Sequence, residues 1–262
     1  MKRILLIFLL PLLLPGCYII KHQEALVPKS LEDNSTKIKM KWPDFSFFDS
    51  DSERSVGPYV LSNFKKSSLD KNRDRLKLGK LYGYEKIEYE QTFGFQLTSK
   101  ERINPMDWTV YCRYTRYEKS AGILFIETDS NFRQAVRCDL KSTEFGMYQF
   151  SFHRFNQFNF RKHYDNKLDS NLTISIHPSY VVKQYGERDG KEIIEVERTD
   201  ELSGFYFNGV KGEEYGVMSI VSRATLWLVN GKNTPEQGLT AALSYCIMFY
   251  QDKFETKQAK YY

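Results

Sequence analysis

Histidine is scarce in this chain, at four among 262 residues, and cysteine is no commoner. His153, His163 and His177 fall in three separate segments. None of them pairs at helical spacing, and no two cysteines stand two to four residues apart, so the ligand spacing of a zinc site is missing. The stretch Asp165-Asn166-Lys167-Leu168-Asp169-Ser170-Asn171 offers oxygen ligands but lacks the central Gly and closing Glu of a calcium loop. The sequence also lacks a Gly-x-Ser-x-Gly elbow, a phosphate-binding Gly-x-x-x-x-Gly-Lys loop, a His-Glu-x-x-His pair and a dinucleotide fingerprint. It therefore nominates no catalytic residue, no cofactor and no metal ligand. Internal repeats and low-complexity tracts are absent, and the net charge of +5, which falls to +3 without Lys2 and Arg3, leaves no nucleic-acid footprint. Beyond residue 14 no apolar run approaches the roughly 20 residues that a helix needs to cross a bilayer.

What is present begins at the first residue. Lys2 and Arg3 precede an apolar run from Ile4 to Leu14, which Leu14-Pro15-Gly16-Cys17 closes. A cationic start, a short apolar segment and a small residue at the end describe a secretory signal peptide. With Cys directly after Gly, the segment resembles the lipobox of bacterial lipoproteins. The resemblance covers residues 1–17 only. It implies removal of residues 1–16 as a signal peptide and attachment of acyl chains, palmitate among them, to Cys17. The bilayer would then be one partner, held through acylated Cys17. Each buried methylene contributes about 0.8 kcal/mol, so two or three chains anchor where one would bind only marginally. Tyr18 follows the Cys in place of the Asp that retains many such proteins at the inner membrane, so the family resemblance implies the outer membrane of the cell envelope.

Residues 17–57 read as the lipidated Cys and a flexible tether, because 28–37 is polar and without apolar periodicity. Residues 58–262 read as a single domain rich in strands. Trp108, Val110, Cys112 and Tyr114 alternate with polar neighbours, as do Val136, Cys138 and Leu140, then Tyr148, Phe150 and Phe152, then Leu172, Ile174 and Ile176. This period of two marks antiparallel strands with one wet face. Asp189-Gly190 between strand-like runs predicts a tight hairpin. Thr234-Pro235-Glu236-Gln237 predicts a capped helix start, and Leu239, Ala242, Leu243, Cys246 and Phe249 then recur on one stripe. Residues 213–229 fit helix and strand alike, and two acidic residues at their start tilt the reading to helix. The expected fold is α+β: mainly antiparallel β, sandwich or barrel-like, with an amphipathic C-terminal helix and room for a helical pair.

Three features could carry chemistry. With Cys17 lipidated, Cys112, Cys138 and Cys246 remain. Cys112 and Cys138 share the apolar faces of their strands, so a disulfide between them would close a loop worth roughly 3–4 kcal/mol; three reduced, core-packed thiols are the alternative. Lys65, Lys66, Lys71, Arg73, Arg75, Lys77 and Lys80 form a basic cluster. It reads as a solvated loop or as a contact for an anionic surface, at about 1 kcal/mol per cation. Phe152, Phe155, Phe158 and Phe160 sit among amides and cations, which suits core packing or contact with a glycan or protein. The functional expectation is an envelope lipoprotein whose domain binds a partner or has a structural role and is not an enzyme. A lipocalin-like carrier and a hydrolase with an unrecognised site are the alternatives.

Overall fold

The computed structural model describes residues 19–40, 53–78, 82–100, 106–123, 126–153, 157–163, 174–188, 190–209, 211–221, 224–230 and 234–258. The lipobox residues, Cys17 included, lie outside them, as does Lys80. The chain opens with β1 (Ile19–Ala25), α1 (Lys29–Asp33), β2 (Ser35–Lys39), β3 (Arg54–Val56), β4 (Tyr59–Lys66) and β5 (Asp70–Leu78). Next come β6 (Tyr82–Ser99), β7 (Asp107–Ile123), β8 (Ile126–Ser142), β9 (Gly146–His153) and β10 (Gln157–His163). It closes with β11 (Ile174–Ser179), β12 (Val181–Arg188), β13 (Lys191–Arg198), β14 (Gly204–Gly209), β15 (Glu214–Ser219), β16 (Thr225–Val229) and α2 (Pro235–Gln258).

All strand pairings are antiparallel, so the fold is mainly antiparallel β with a C-terminal helix. Among the described residues the strands form three sheets. The largest runs β10-β9-β8-β7-β6-β4-β3 with β5 also on β6; the second runs β11-β14-β15-β16-β2; the third is β1-β12-β13. β12 and β13 pair antiparallel as neighbours in the chain, as the hairpin expectation required, with Gly190 between them at φ 75°, a left-handed conformation that glycine adopts at no steric cost; Asp189 lies outside the described residues.

Helix α2 lies between the two larger sheets. Its start is a reciprocal cap: Gln237 N donates to Thr234 Oγ1 at 3.4 Å, and Thr234 N donates to Gln237 Oε1 at 3.5 Å. Phe249 stacks on Phe93 of the large sheet at 4.9 Å, and Tyr245 meets Phe95 at 5.7 Å. On the other side, a Cβ on Gly216 of β15 would lie 3.2 Å from the Thr240 side chain. A helix gripped from both sides buries more than one stripe, and every residue from Gln237 to Phe249 is buried. The single inward stripe expected from the sequence is corrected accordingly. Two buried polar side chains of the helix are satisfied, Ser244 Oγ donating to the Thr240 carbonyl at 2.8 Å and Gln237 Nε2 to the Val229 carbonyl at 2.7 Å, whereas the buried Thr240 hydroxyl has no hydrogen-bond partner among the described residues.

Two further expectations are corrected. Within 213–229 the described residues form strands β15 (Glu214–Ser219) and β16 (Thr225–Val229), not a second long helix. Met218 and Leu226 pair in register and face the main core, whereas Val217 and Trp227 pair and face Val27 and Leu31. Cover on both faces removes the alternation that would have betrayed a strand. Nor are residues 17–57 a tether throughout. β1 and β2 are built into sheets, and Ala25, Val27 and Leu31 are buried. Few apolar residues suffice there because the pairing energy comes from backbone hydrogen bonds to strands far along the chain.

Candidate functional site

Among the described residues, three places stand out for their polar or reactive groups. The first is sulfur. β7 and β8 place Cys112 opposite Cys138, and the two form a disulfide with Cα atoms 4.0 Å apart. Cys246 on α2 brings its Sγ to 3.7 Å from that of Cys112. All three are fully buried. Burial raises the Cys246 thiol far above its usual range, so it stays protonated and a poor nucleophile. Non-reducing peptide mapping is expected to recover Cys112 linked to Cys138, with Cys246 alkylated only after unfolding. Three free thiols, or a bridge that includes Cys246, would contradict this arrangement.

The second is a carboxylate clamp. Glu24, 4% exposed, accepts hydrogen bonds from Lys37 Nζ at 2.8 Å and Tyr185 OH at 2.7 Å, with His22 Nε2 at 3.5 Å. Burial alone would raise its pKa, but the Lys37 and Tyr185 hydrogen bonds and the Lys37 charge outweigh it and hold the carboxyl below its ordinary value. His22 stacks on Tyr185 at 5.8 Å. The group ties β1, β2 and β12 together, because Glu24 stands on β1, Lys37 on β2 and Tyr185 on β12. A carboxylate kept ionised by so many donors is a poor general base and a good rivet.

The third is a groove beside a bulge in β4. The register of β4 on β6 shifts between Ser62 and Lys65, and Asn63 adopts φ 53°. Asn is among the few residues that tolerate this left-handed conformation. Asn63 Nδ2 donates to Gln96 Oε1 at 2.5 Å. The irregular pairing opens a groove of about 590 Å³ lined by Asn63, Lys65, Lys66, Gln96 and Tyr111, among others. Gly94 pairs with Tyr111 across β6 and β7. A Cβ at Gly94 would come within 3.1 Å of the Val110 carbonyl and 3.9 Å of the Tyr111 ring, so glycine keeps this floor low. Tyr111 remains 52% exposed, unlike the aromatic residues of the core.

The basic cluster is divided by the fold. Lys65 and Lys66 end β4 and line the groove. Lys71, Arg73, Arg75 and Lys77 belong to β5, paired on β6, so the solvated-loop reading is corrected for these positions. Arg73 and Arg75 both donate to Glu85 Oε1, and the hydrogen bonds from Arg73 and then Arg75 hold that carboxyl down at about 2. Lys71 Nζ sits over the Tyr89 ring at 5.3 Å. Among the phenylalanines, Phe152 is buried edge-on to Phe150 and Phe205, and Phe160 stacks on Tyr148 at 5.8 Å. Phe155 lies outside the described residues. The groove was missed in the sequence: Asn63 and Gly94 are isolated residues whose meaning depends on a strand register that no local pattern encodes. Comparison with known proteins finds no matching family model, no matching curated protein and no matching solved structure.

Proposed function

We propose that this chain is an envelope lipoprotein, anchored through acylated Cys17, whose β-rich domain binds a partner and performs no chemistry. The observation that carries the anchor is the signal peptide ending in Leu14-Pro15-Gly16-Cys17. The observation that favours binding is the groove at the β4 bulge, where an exposed ring, two lysines and two amides share an open floor. A flat ring beside hydrogen-bonding amides suits an extended peptide or a glycan, since the ring gives contact area at small entropic cost. The carrier reading has less support, because α2 occupies the space between the sheets that a ligand cavity would need. The hydrolase reading has less support too. The most enzyme-like cluster, around Glu24, is a carboxylate whose hydrogen bonds are already taken by Lys37 and Tyr185.

The test is a photo-crosslinking amino acid at position 111 in intact envelopes. A discrete adduct that disappears when Gly94→Leu fills the groove is the expected result. An adduct pattern identical to that of a label at exposed Glu144 would remove the groove from consideration.

A further inference from the structure

We infer that the β1-β12-β13 sheet is a membrane-contacting stalk, and that its face carrying Ile19, Tyr185, Ile194 and Val196 rests on the lipid head groups. The inference rests on the anchor reading at Cys17 and adds the orientation of the domain.

The root of this sheet is fixed to the body. Ala25 N donates to Ser219 Oγ of β15 at 2.9 Å, and Tyr206 OH of β14 to the Leu26 carbonyl at 2.6 Å. Burial along β1 falls away from that root: Ala25 and Glu24 are buried, Gln23 is half-buried, and Ile19 to His22 are exposed. At about 3.3 Å per residue, β1 carries its first residue roughly 20 Å from its last. Cys17 precedes Ile19 by two residues, a span of at most about 7 Å of chain. Acyl chains on Cys17 therefore hold the free end of this sheet at the bilayer, with no room for a long spacer between them.

The surface fits that position. Six large hydrophobic side chains stand exposed among the described residues, namely Ile19, Ile20, Leu69, Tyr111, Ile194 and Val196, and four of them belong to this sheet. Ile19 pairs with Glu187, Tyr185 with Ile194 and Lys183 with Val196, and strand alternation then puts Ile19, Tyr185, Ile194 and Val196 on one face. Clustered exposed apolar residues mark a contact surface. The charges of the sheet balance: Lys21, Lys183, Arg188, Lys191 and Arg198 match Glu24, Glu187, Glu192, Glu195 and Glu197 in number, and the same register puts Lys183, Arg198, Glu187 and Glu192 on the face of Ile194 and Val196. Two pairs lie within the sheet, Lys21 with Glu187 at 2.5 Å and Arg188 with Glu195 at 3.6 Å, and Lys183 pairs with Glu32 of α1 at 3.4 Å. A surface whose charges balance gains little from anionic lipid. The contact is apolar and interfacial, and it is insensitive to salt.

β13 is also an open edge strand, which invites a second copy. Pairing β13 with itself in antiparallel register would set Lys191 against Arg198 and Glu192 against Glu197, two like-charge pairs that oppose it.

The experiment uses the full lipidated chain in vesicles of phosphatidylethanolamine and phosphatidylglycerol. Ile194→Cys and Val196→Cys, and Glu144→Cys as the control, carry an environment-sensitive dye; buried Cys246 does not compete for it. Mass spectrometry of the N-terminal peptide first establishes the acyl chains. Expected are a blue shift and quenching by lipids brominated near the head group at 194 and 196, unchanged by high salt, with neither at 144. Acylated, vesicle-bound protein whose 194 and 196 labels behave like the 144 label overturns the stalk contact and leaves the anchor standing. Quenching that high salt abolishes also overturns it, in favour of an electrostatic contact. A peptide without acyl chains removes the anchor reading and the contact together.

Discussion

Leu243→Asp is expected to leave no folded protein at ordinary temperature. Leu243 is fully buried at the middle of α2, where both larger sheets close on the helix. An aspartate there loses its hydration and finds no cation, and an uncompensated buried charge costs several kcal/mol. Whole-domain stability is only about 5–15 kcal/mol, so one such substitution consumes most of it. Thermal unfolding followed by near-ultraviolet circular dichroism reads the result, with Leu243→Met as the control, at a cost below about 1.5 kcal/mol. A Leu243→Asp protein that melts within a few degrees of the parent would mean that α2 does not fill the space between the sheets.

The second large effect falls on location. Cys17→Ser keeps the apolar run and the signal peptide but removes the thiol that receives lipid. The protein is expected to leave the detergent phase on phase separation or to persist as an uncleaved precursor. Fully processed protein that still fractionates with membranes would refute lipidation at this residue. Because the proposed stalk contact involves few side chains, it adds to an acyl anchor and does not replace one.

The sequence disclosed the fold wherever a strand had one wet face. Val110 and Cys112, Val136 and Cys138, and Phe150 and Phe152 all alternate visibly with polar partners, and these are the central strands β7, β8 and β9. The start of α2 was equally legible, since Thr234 and Gln237 form their cap from local geometry alone. β15 and β16 were hidden because tertiary cover on both faces overrides the period of two. β1 and β2 were hidden for the opposite reason. They carry few apolar residues, and they are strands because β12 and β16, far along the chain, supply their hydrogen bonds. The groove belongs to the same class. Its floor and its bulge are properties of a register between β4 and β6, and register is read from neither strand by itself.

The pairing of β1 with β12, of β2 with β16, and of both larger sheets with α2 has a consequence for how the molecule is made. Ala25 waits for Ser219, 194 residues later, and the core waits for a helix that begins at Pro235. Contacts so distant in sequence form slowly, because a long loop must close before they give any return. A chain exported from its amino terminus forward would thus cross the membrane without a completed core to obstruct its passage, and the final two dozen residues would release folding on the far side. Protein synthesis that stopped short of residue 235 would leave two sheets with nothing to close upon, a species that exposes apolar strand faces and is prone to aggregate.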